Sequence, residues 1–139
     1  MRRLNQIHYA LFFEECHPQN ITPVQYGILT ALSLVPWMDQ TEIGMDVGLD
    51  RTTTADVIKR LQERGLIDRR INPADKRSRQ AALTRTGATL VQDLQANMAR
   101  AQQRLLEPLS PRNREVFMRL LGTLVEGNNQ YGRTVLRAF

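Results

Sequence analysis

Residues 39–65, DQTEIGMDVGLDRTTTADVIKRLQERG, restrict the fold more than any other stretch of the chain. Asp39 followed by Glu42 is a capping-box signal and predicts a short helix over 40–47. Gly48-Leu49 then makes a tight turn, where Gly48 can take the left-handed backbone such a turn requires. Asp50 caps a second helix from Arg51 to about Arg64, and Gly65 closes it. Two short helices joined by so few residues cross at a steep angle. Ile43, Val47, Leu49, Val57, Ile58 and Leu61 would form their shared core, and Gly44 is small where they must approach closely. The alternative is a plain helical hairpin.

The flanking segments are punctuated just as clearly. In ITPVQYGILTALSLV, Thr22 is an N-cap, Pro23 holds the first helical position and Gln25 completes a capping box. Ile28, Leu29, Leu32 and Val35 recur at helical spacing until Pro36 ends the run. After Gly65, LIDRR reads as a short strand, NPADKRS as a turn and RQAAL as the return strand. Thr84 or Thr86 opens a long helix that ends before Pro108. Ser110-Pro111 caps a last one, with Phe117, Leu120, Leu121, Leu124 and Val125 as its apolar stripe. The reading is mainly α with a small β-hairpin wing: a winged helix-turn-helix flanked by terminal helices.

Charge placement carries the functional argument. Between Arg51 and Thr86 lie ten Lys or Arg against four acids, a net of +6, whereas the remainder holds nine against ten. The whole positive excess thus sits on the second helix of the pair and on the hairpin, the footprint expected of a polyanion partner. Lys76, Arg77 and Arg79 crowd the hairpin tip, where their mutual repulsion is unfavourable unless an outside anion offsets it. A wing beside a recognition helix reaches phosphates and the adjacent minor groove, where a narrow groove favours arginine. Asp75 is expected to hold the Arg77 guanidinium as a bidentate pair. On the second helix, Arg51, Thr52, Thr53, Thr54, Asp56, Lys59 and Arg60 are the candidates for the DNA face. Threonines at a helix start are poor helix formers, but their hydroxyls and methyls suit phosphates, base edges and the thymine methyl.

Other function classes find little support. There is no glycine-rich phosphate loop, no Gly-x-Ser-x-Gly and no convincing Ser/His/Asp set, so no catalytic residues are assigned. One cysteine and two histidines make a structural zinc site improbable, and no metal or cofactor is expected. No apolar run approaches the roughly 18–20 residues of a membrane span. The basic start, MRRLNQIHYALFFEEC, lacks a clean apolar core and meets Glu14-Glu15 where a cleavage site would fall; it reads as the first helix of a cytoplasmic protein. Whether residues precede Met1 is left open.

The segments TPVQYGILTAL, DQTEIGMDVGLDRTTTADVIKRLQERGLIDR, DKRSRQAALTRTG and LLEPLSPRNREVFMRLL resemble the MarR family of bacterial transcription regulators over nearly the whole chain. The wing signature, Asp75, Arg77, Leu83, Thr84 and Gly87, is specific when it follows ERGLIDRR. The resemblance implies a homodimer whose dimerisation helices come from 1–20 and 106–139. It implies a DNA-binding lobe over 21–105 that includes the long connecting helix at about 85–105. Two such lobes would meet successive major grooves of a pseudo-palindromic double-stranded DNA operator. Thr52, Thr53 and Asp56 would lie near base edges and Arg77 in the minor groove. Many members carry a basic residue where this chain has Asp56; the carboxylate either accepts from cytosine N4 or pairs with Lys59 or Arg60.

MarR-like proteins often respond to small aromatic or phenolic acids, which makes such an acid the implied effector. RRLNQIHYALFFEECHPQNITPVQYG further resembles regulators of nicotinic acid degradation. Asn5, His8, Tyr9 and Phe12 are therefore candidate pocket residues, with Trp37 and Met38 bordering the same cleft. An interface histidine and a core tryptophan are the plainer alternatives. Two other functions compete: a thiol-based redox sensor using Cys16, which Glu14 and Glu15 would disfavour, and a winged-helix protein-interaction module. The operator, the regulated genes, repression against activation, and nicotinate-like against phenolic effectors stay open.

Overall fold

The computed structural model describes residues 1–132 and 134. In chain order the elements are α1 (Arg2–Cys16), a 3-10 turn (His17–Gln19), α2 (Pro23–Leu34), β1 (Met38–Asp39), α3 (Gln40–Val47), α4 (Arg51–Glu63), β2 (Ile67–Ile71), β3 (Arg79–Leu83), α5 (Arg85–Leu106), α6 (Pro111–Gly127) and a 3-10 turn (Asn129–Tyr131). The caps account for most boundaries. Thr22 Oγ1 accepts from the Gln25 N–H at 3.1 Å and Gln25 Oε1 accepts from the Thr22 N–H at 3.0 Å. Asp50 Oδ1 accepts from the Thr53 N–H at 2.8 Å. Gly48 closes α3 with a φ of 75°, the left-handed turn its type permits. Of the two threonines that could open α5, Thr84 does so, accepting from the Gly87 N–H at 3.0 Å.

The strands form one antiparallel sheet in the order β1-β3-β2. Ile67 pairs with Leu83 and Ile71 with Arg79, so the two strands close around the expected turn, Asn72–Ser78. β1 was not expected. It adds Met38 opposite Ala81 and Asp39 opposite Gln80, and two residues are too few to show a strand period.

One core serves the helix pair, the sheet and the long helices. Phe12 and Cys16 of α1, Ile28, Leu29 and Leu32 of α2, Ile43 of α3, Ile58 and Leu61 of α4, Ile67 of β2 and Leu94 of α5 are all buried together. Val47, Leu49 and Val57 pack on this cluster from its edge, so all six residues expected at the α3–α4 contact contribute. Polar ties join distant segments. Arg64, at the end of α4, donates to the carbonyls of Asn20 at 2.8 Å and Gln19 at 2.9 Å. Glu15 accepts from Arg100 at 2.9 Å and Arg104 at 3.0 Å, and Glu14 from Arg104 at 2.7 Å.

α6 differs from the rest, because none of its residues is buried. Leu120 and Leu124 of its apolar stripe are exposed, as are Met118 on the same helix and Leu4 and Ile7 on α1. The end of the expected C-terminal dimerisation segment, residues 133 and 135–139, lies outside the described residues.

Candidate functional site

The turn before α4 and the burial of one face decide which of its side chains face out. Ile58 and Leu61 go to the core, leaving Arg51, Thr52, Asp56, Lys59 and Arg60 exposed and Thr53 half-buried. Arg60 Nη2 meets Asp56 Oδ2 at 2.9 Å, one turn apart. Of the two readings of Asp56, the helix-surface ion pair is formed; at this exposure such a pair adds little stability. Lys59 and Glu63 approach only to 4.0 Å. Thr53 donates its hydroxyl proton to Asp50 Oδ2 at 2.8 Å, which leaves its oxygen as an acceptor.

Thr54 must be removed from the DNA face. It is 1% exposed and its hydroxyl donates to the Asp50 carbonyl at 2.8 Å. A Cβ added to Gly44 would come within 2.9 Å of Thr54 Oγ1. The residue therefore fills the close approach of α3 and α4, and its polarity is satisfied inside.

The wing tip presents Lys76, Arg77 and Arg79 to solvent. Asp75 does not hold the Arg77 guanidinium, and no ion pair joins the two among the described residues. Its Oδ1 accepts from the Arg77 backbone N–H at 3.0 Å, and its carbonyl from the Ser78 N–H at 3.0 Å. A short acidic side chain competes for the nearest backbone donors before it reaches a long flexible partner. Asp75 thus shapes the turn from which Arg77 projects.

At its base the wing is tied to the helix pair by residues that sequence reasoning assigned no such task. The Asp39 carboxylate accepts from Asn72 Nδ2 at 3.2 and 3.4 Å and from the Ser78 hydroxyl. Arg69 donates to Gln40 Oε1 at 3.0 Å. Asp39 was legible only as the cap of α3, since its partners are 33 and 39 residues away.

Two apolar concavities border α1. A cleft of about 760 Å³ between α1, α2 and α3 is lined by Asn5, His8 and Tyr9, with Tyr26, Thr30 and Asp46 opposite them. Thr30 also borders a concavity shared with Leu83 and Val91, and its Oγ1 is buried without a hydrogen-bond partner. Three expected pocket residues are elsewhere. Phe12, 0% exposed, and Met38, 3% exposed, are core side chains. Trp37 has a left-handed φ of 58° and lies beneath the Arg70 guanidinium, 4.0 Å from the ring centroid. Tyr26 and Thr30 were missed, although their one-turn spacing on α2, off the buried stripe, is the signal that marks them. The second concavity, about 350 Å³, lies between α1, α5 and α6, with Leu4, Met98, Leu105, Phe117 and Leu121 in its wall.

Cys16 is a buried side chain. Burial pushes its thiol pKa up and the charge of Glu15 adds to the rise, while Arg100 opposes it. A reactive thiolate needs the reverse, so this site disfavours the redox-sensor reading.

With this geometry in view, the comparisons with known proteins are decisive. The MarR family profile matches residues 21–79. The PcaV transcriptional regulator of Streptomyces coelicolor, solved in complex with its natural ligand, is 37% identical, with 90% of this chain and 88% of that one covered and a TM-score of 0.82. The chain belongs to the MarR family. It is similar also to the transcriptional repressor CouR bound to a 23-mer DNA duplex, at 30% identity, coverage of 89% and 88%, and a TM-score of 0.83. BpsR of Bordetella bronchiseptica, whose DNA binding is regulated by 6-hydroxynicotinic acid, is 28% identical, with coverage of 88% and 93% and a TM-score of 0.82.

The chain is therefore a DNA-binding transcriptional regulator of the MarR family and not an enzyme. No helix among the described residues is long and apolar enough to cross a membrane. The MarR wing signature has a physical basis here. Thr84 caps α5 and also donates to the Gly65 carbonyl at 2.7 Å. A Cβ at Gly87 would lie 2.0 Å from the Leu66 carbonyl oxygen, so only glycine lets α5 start against the foot of β2. Asp75 and Arg77 then share the tip turn, as described above.

Proposed function

We propose that the protein is a homodimeric repressor that leaves a pseudo-palindromic operator when a small aromatic carboxylic acid binds. The observation that carries the DNA part is the confinement of the positive excess to α4 and the wing, where every Lys and Arg but the half-buried Arg69 is exposed. Arg51, Thr52, Thr53, Lys59 and Arg60 would enter the major groove, with Asp56 selecting cytosine once it exchanges Arg60 for N4. Lys76, Arg77 and Arg79 would follow the backbone, with Arg77 in the minor groove. The likeness to CouR on its duplex supports this reading. A second copy is supported by α6, none of whose residues is fully buried within its own chain; a helix of that length is marginal in water without a surface to cover its apolar face.

The effector would occupy the cleft between α1, α2 and α3. Its walls supply tyrosine rings, the His8 imidazole to donate to a carboxylate, and Thr30 and Asp46 to accept from a ring hydroxyl. That set suits a hydroxylated aromatic acid, phenolic or nicotinate-like. The natural-ligand complex of PcaV and the 6-hydroxynicotinic acid regulation of BpsR support it. Nicotinate, 6-hydroxynicotinate, salicylate and 4-hydroxybenzoate, titrated against the protein on a duplex it selects from a randomised pool, provide the test. At least one should raise the melting temperature and release the DNA. Thr30→Val should weaken that response without loss of stability, because it removes an unpaired buried hydroxyl. Release by none of the acids, or an unchanged response in the variant, would remove this effector site from the account.

A further inference from the structure

We infer that Asp39 is a positioning residue for operator recognition: its carboxylate clamps the wing loop to the cap of α3 and so sets where Arg77 is delivered. This rests on the reading of the wing as a DNA contact.

The geometry is specific to the loop that carries the cations. Asp39 sits at two junctions at once, as the N-cap of α3 and as the β1 residue opposite Gln80. Both of its carboxylate oxygens face the wing loop. Asn72 donates its amide to them at 3.2 and 3.4 Å, and Ser78 donates its hydroxyl to Oδ1. These two partners open and close the loop, and the Asn72 N–H donates to the Ser78 carbonyl at 3.0 Å. Within it, Asn72 Oδ1 accepts from the Ala74 N–H at 2.9 Å and Asp75 orders the Arg77 N–H. The loop is thus a small rigid unit, and among the described residues its side-chain attachment to the helix-turn-helix is the Asp39 carboxylate. Arg77 is covalently next to Ser78, so a change in the Ser78–Asp39 bond shifts the backbone from which the Arg77 side chain projects. Hydrogen bonds to an ionised carboxylate are roughly twice as strong as neutral ones, and the half-buried site keeps water from replacing them cheaply.

Simple electrostatics and the clamp predict opposite signs. Asp39 places a negative charge near a DNA-facing loop, so neutralising it should by charge alone tighten binding and steepen its salt dependence. The clamp predicts the reverse for Asp39→Asn. Asparagine is as good an N-cap as aspartate, which preserves α3, but its oxygen is uncharged, so both bonds lose their charge assistance, and its NH2 group would replace Oδ2 as an acceptor beside the Asn72 amide. Ser78→Ala is the second variant, since it leaves the cap untouched.

The test measures affinity for the selected duplex across a range of salt for wild type, Asp39→Asn, Ser78→Ala, Arg77→Ala and the double variant Asp39→Asn/Arg77→Ala, with melting temperatures as a folding control. Asp39→Asn and Ser78→Ala should each bind about ten-fold more weakly and with a shallower salt slope, although no cation has been removed. Arg77→Ala should cost markedly less in the Asp39→Asn background than in wild type, the non-additivity that marks action through a shared group. Tighter or unchanged binding by Asp39→Asn, or full additivity with Arg77→Ala, would overturn the clamp. If Arg77→Ala alone leaves binding unchanged, the wing assignment itself fails, a result distinct from failure of the clamp.

Discussion

Gly87 shows how much of the architecture can depend on one absent side chain. Its neighbour is a backbone carbonyl, not the end of a flexible chain, so an added methyl group at 2.0 Å from Leu66 O cannot be accommodated by a rotamer change. Gly87→Ala is expected to cost about 3 kcal/mol or more in chemical denaturation, because α5 must lift from β2. A loss below about 0.5 kcal/mol would mean that the helix start can slide. Single residues were legible in sequence where their effect is local: Thr22, Asp50 and Ser110 cap the helices they precede. They were misread where burial or a nearer partner intervenes. Thr54 follows an exposed and a half-buried threonine but turns inward with the helical period, and Asp75 bonds the backbone beside it in place of the arginine two residues on.

At the scale of elements, the helices and the hairpin follow from caps, stripes and turn residues, which are properties of neighbouring positions. What joins them is not. Arg64 reaches carbonyls 44 and 45 residues back, and Asp39 reaches the wing loop; no periodicity encodes either contact. The α1–α5 junction is the same kind of feature and has a testable pH dependence. Hydrogen bonds from Arg100 and Arg104 lower the Glu15 pKa below the ordinary glutamate value, with burial opposing them. Because the folded value is the lower one, the stabilisation is complete above the unfolded pKa and is lost as pH falls through the folded one. The stability difference between wild type and Glu15→Gln should be constant near neutrality and shrink progressively below about pH 4. A difference that stays constant to pH 2 would show that the two arginines do not stabilise the charged form.

At the scale of the whole molecule, charge and hydrophobicity divide the work between regions. The middle of the chain carries the +6 excess, and the remainder is nearly neutral. The apolar faces of α1 and α6 stay exposed on a single copy. This division was legible from composition, while the concavities were not, since Asn5, His8 and Tyr9 meet Tyr26, Thr30 and Asp46 only after α1 folds over α2 and α3. The central claim is that two copies present two basic winged helices to one duplex. Hydroxyl-radical footprinting on the selected duplex tests it most directly. The account predicts two symmetric protected stretches whose centres lie about 10 base pairs apart, or a multiple of that, with added protection in the flanking minor grooves. One protected stretch, without a symmetric partner, at concentrations where the protein is bound would contradict it.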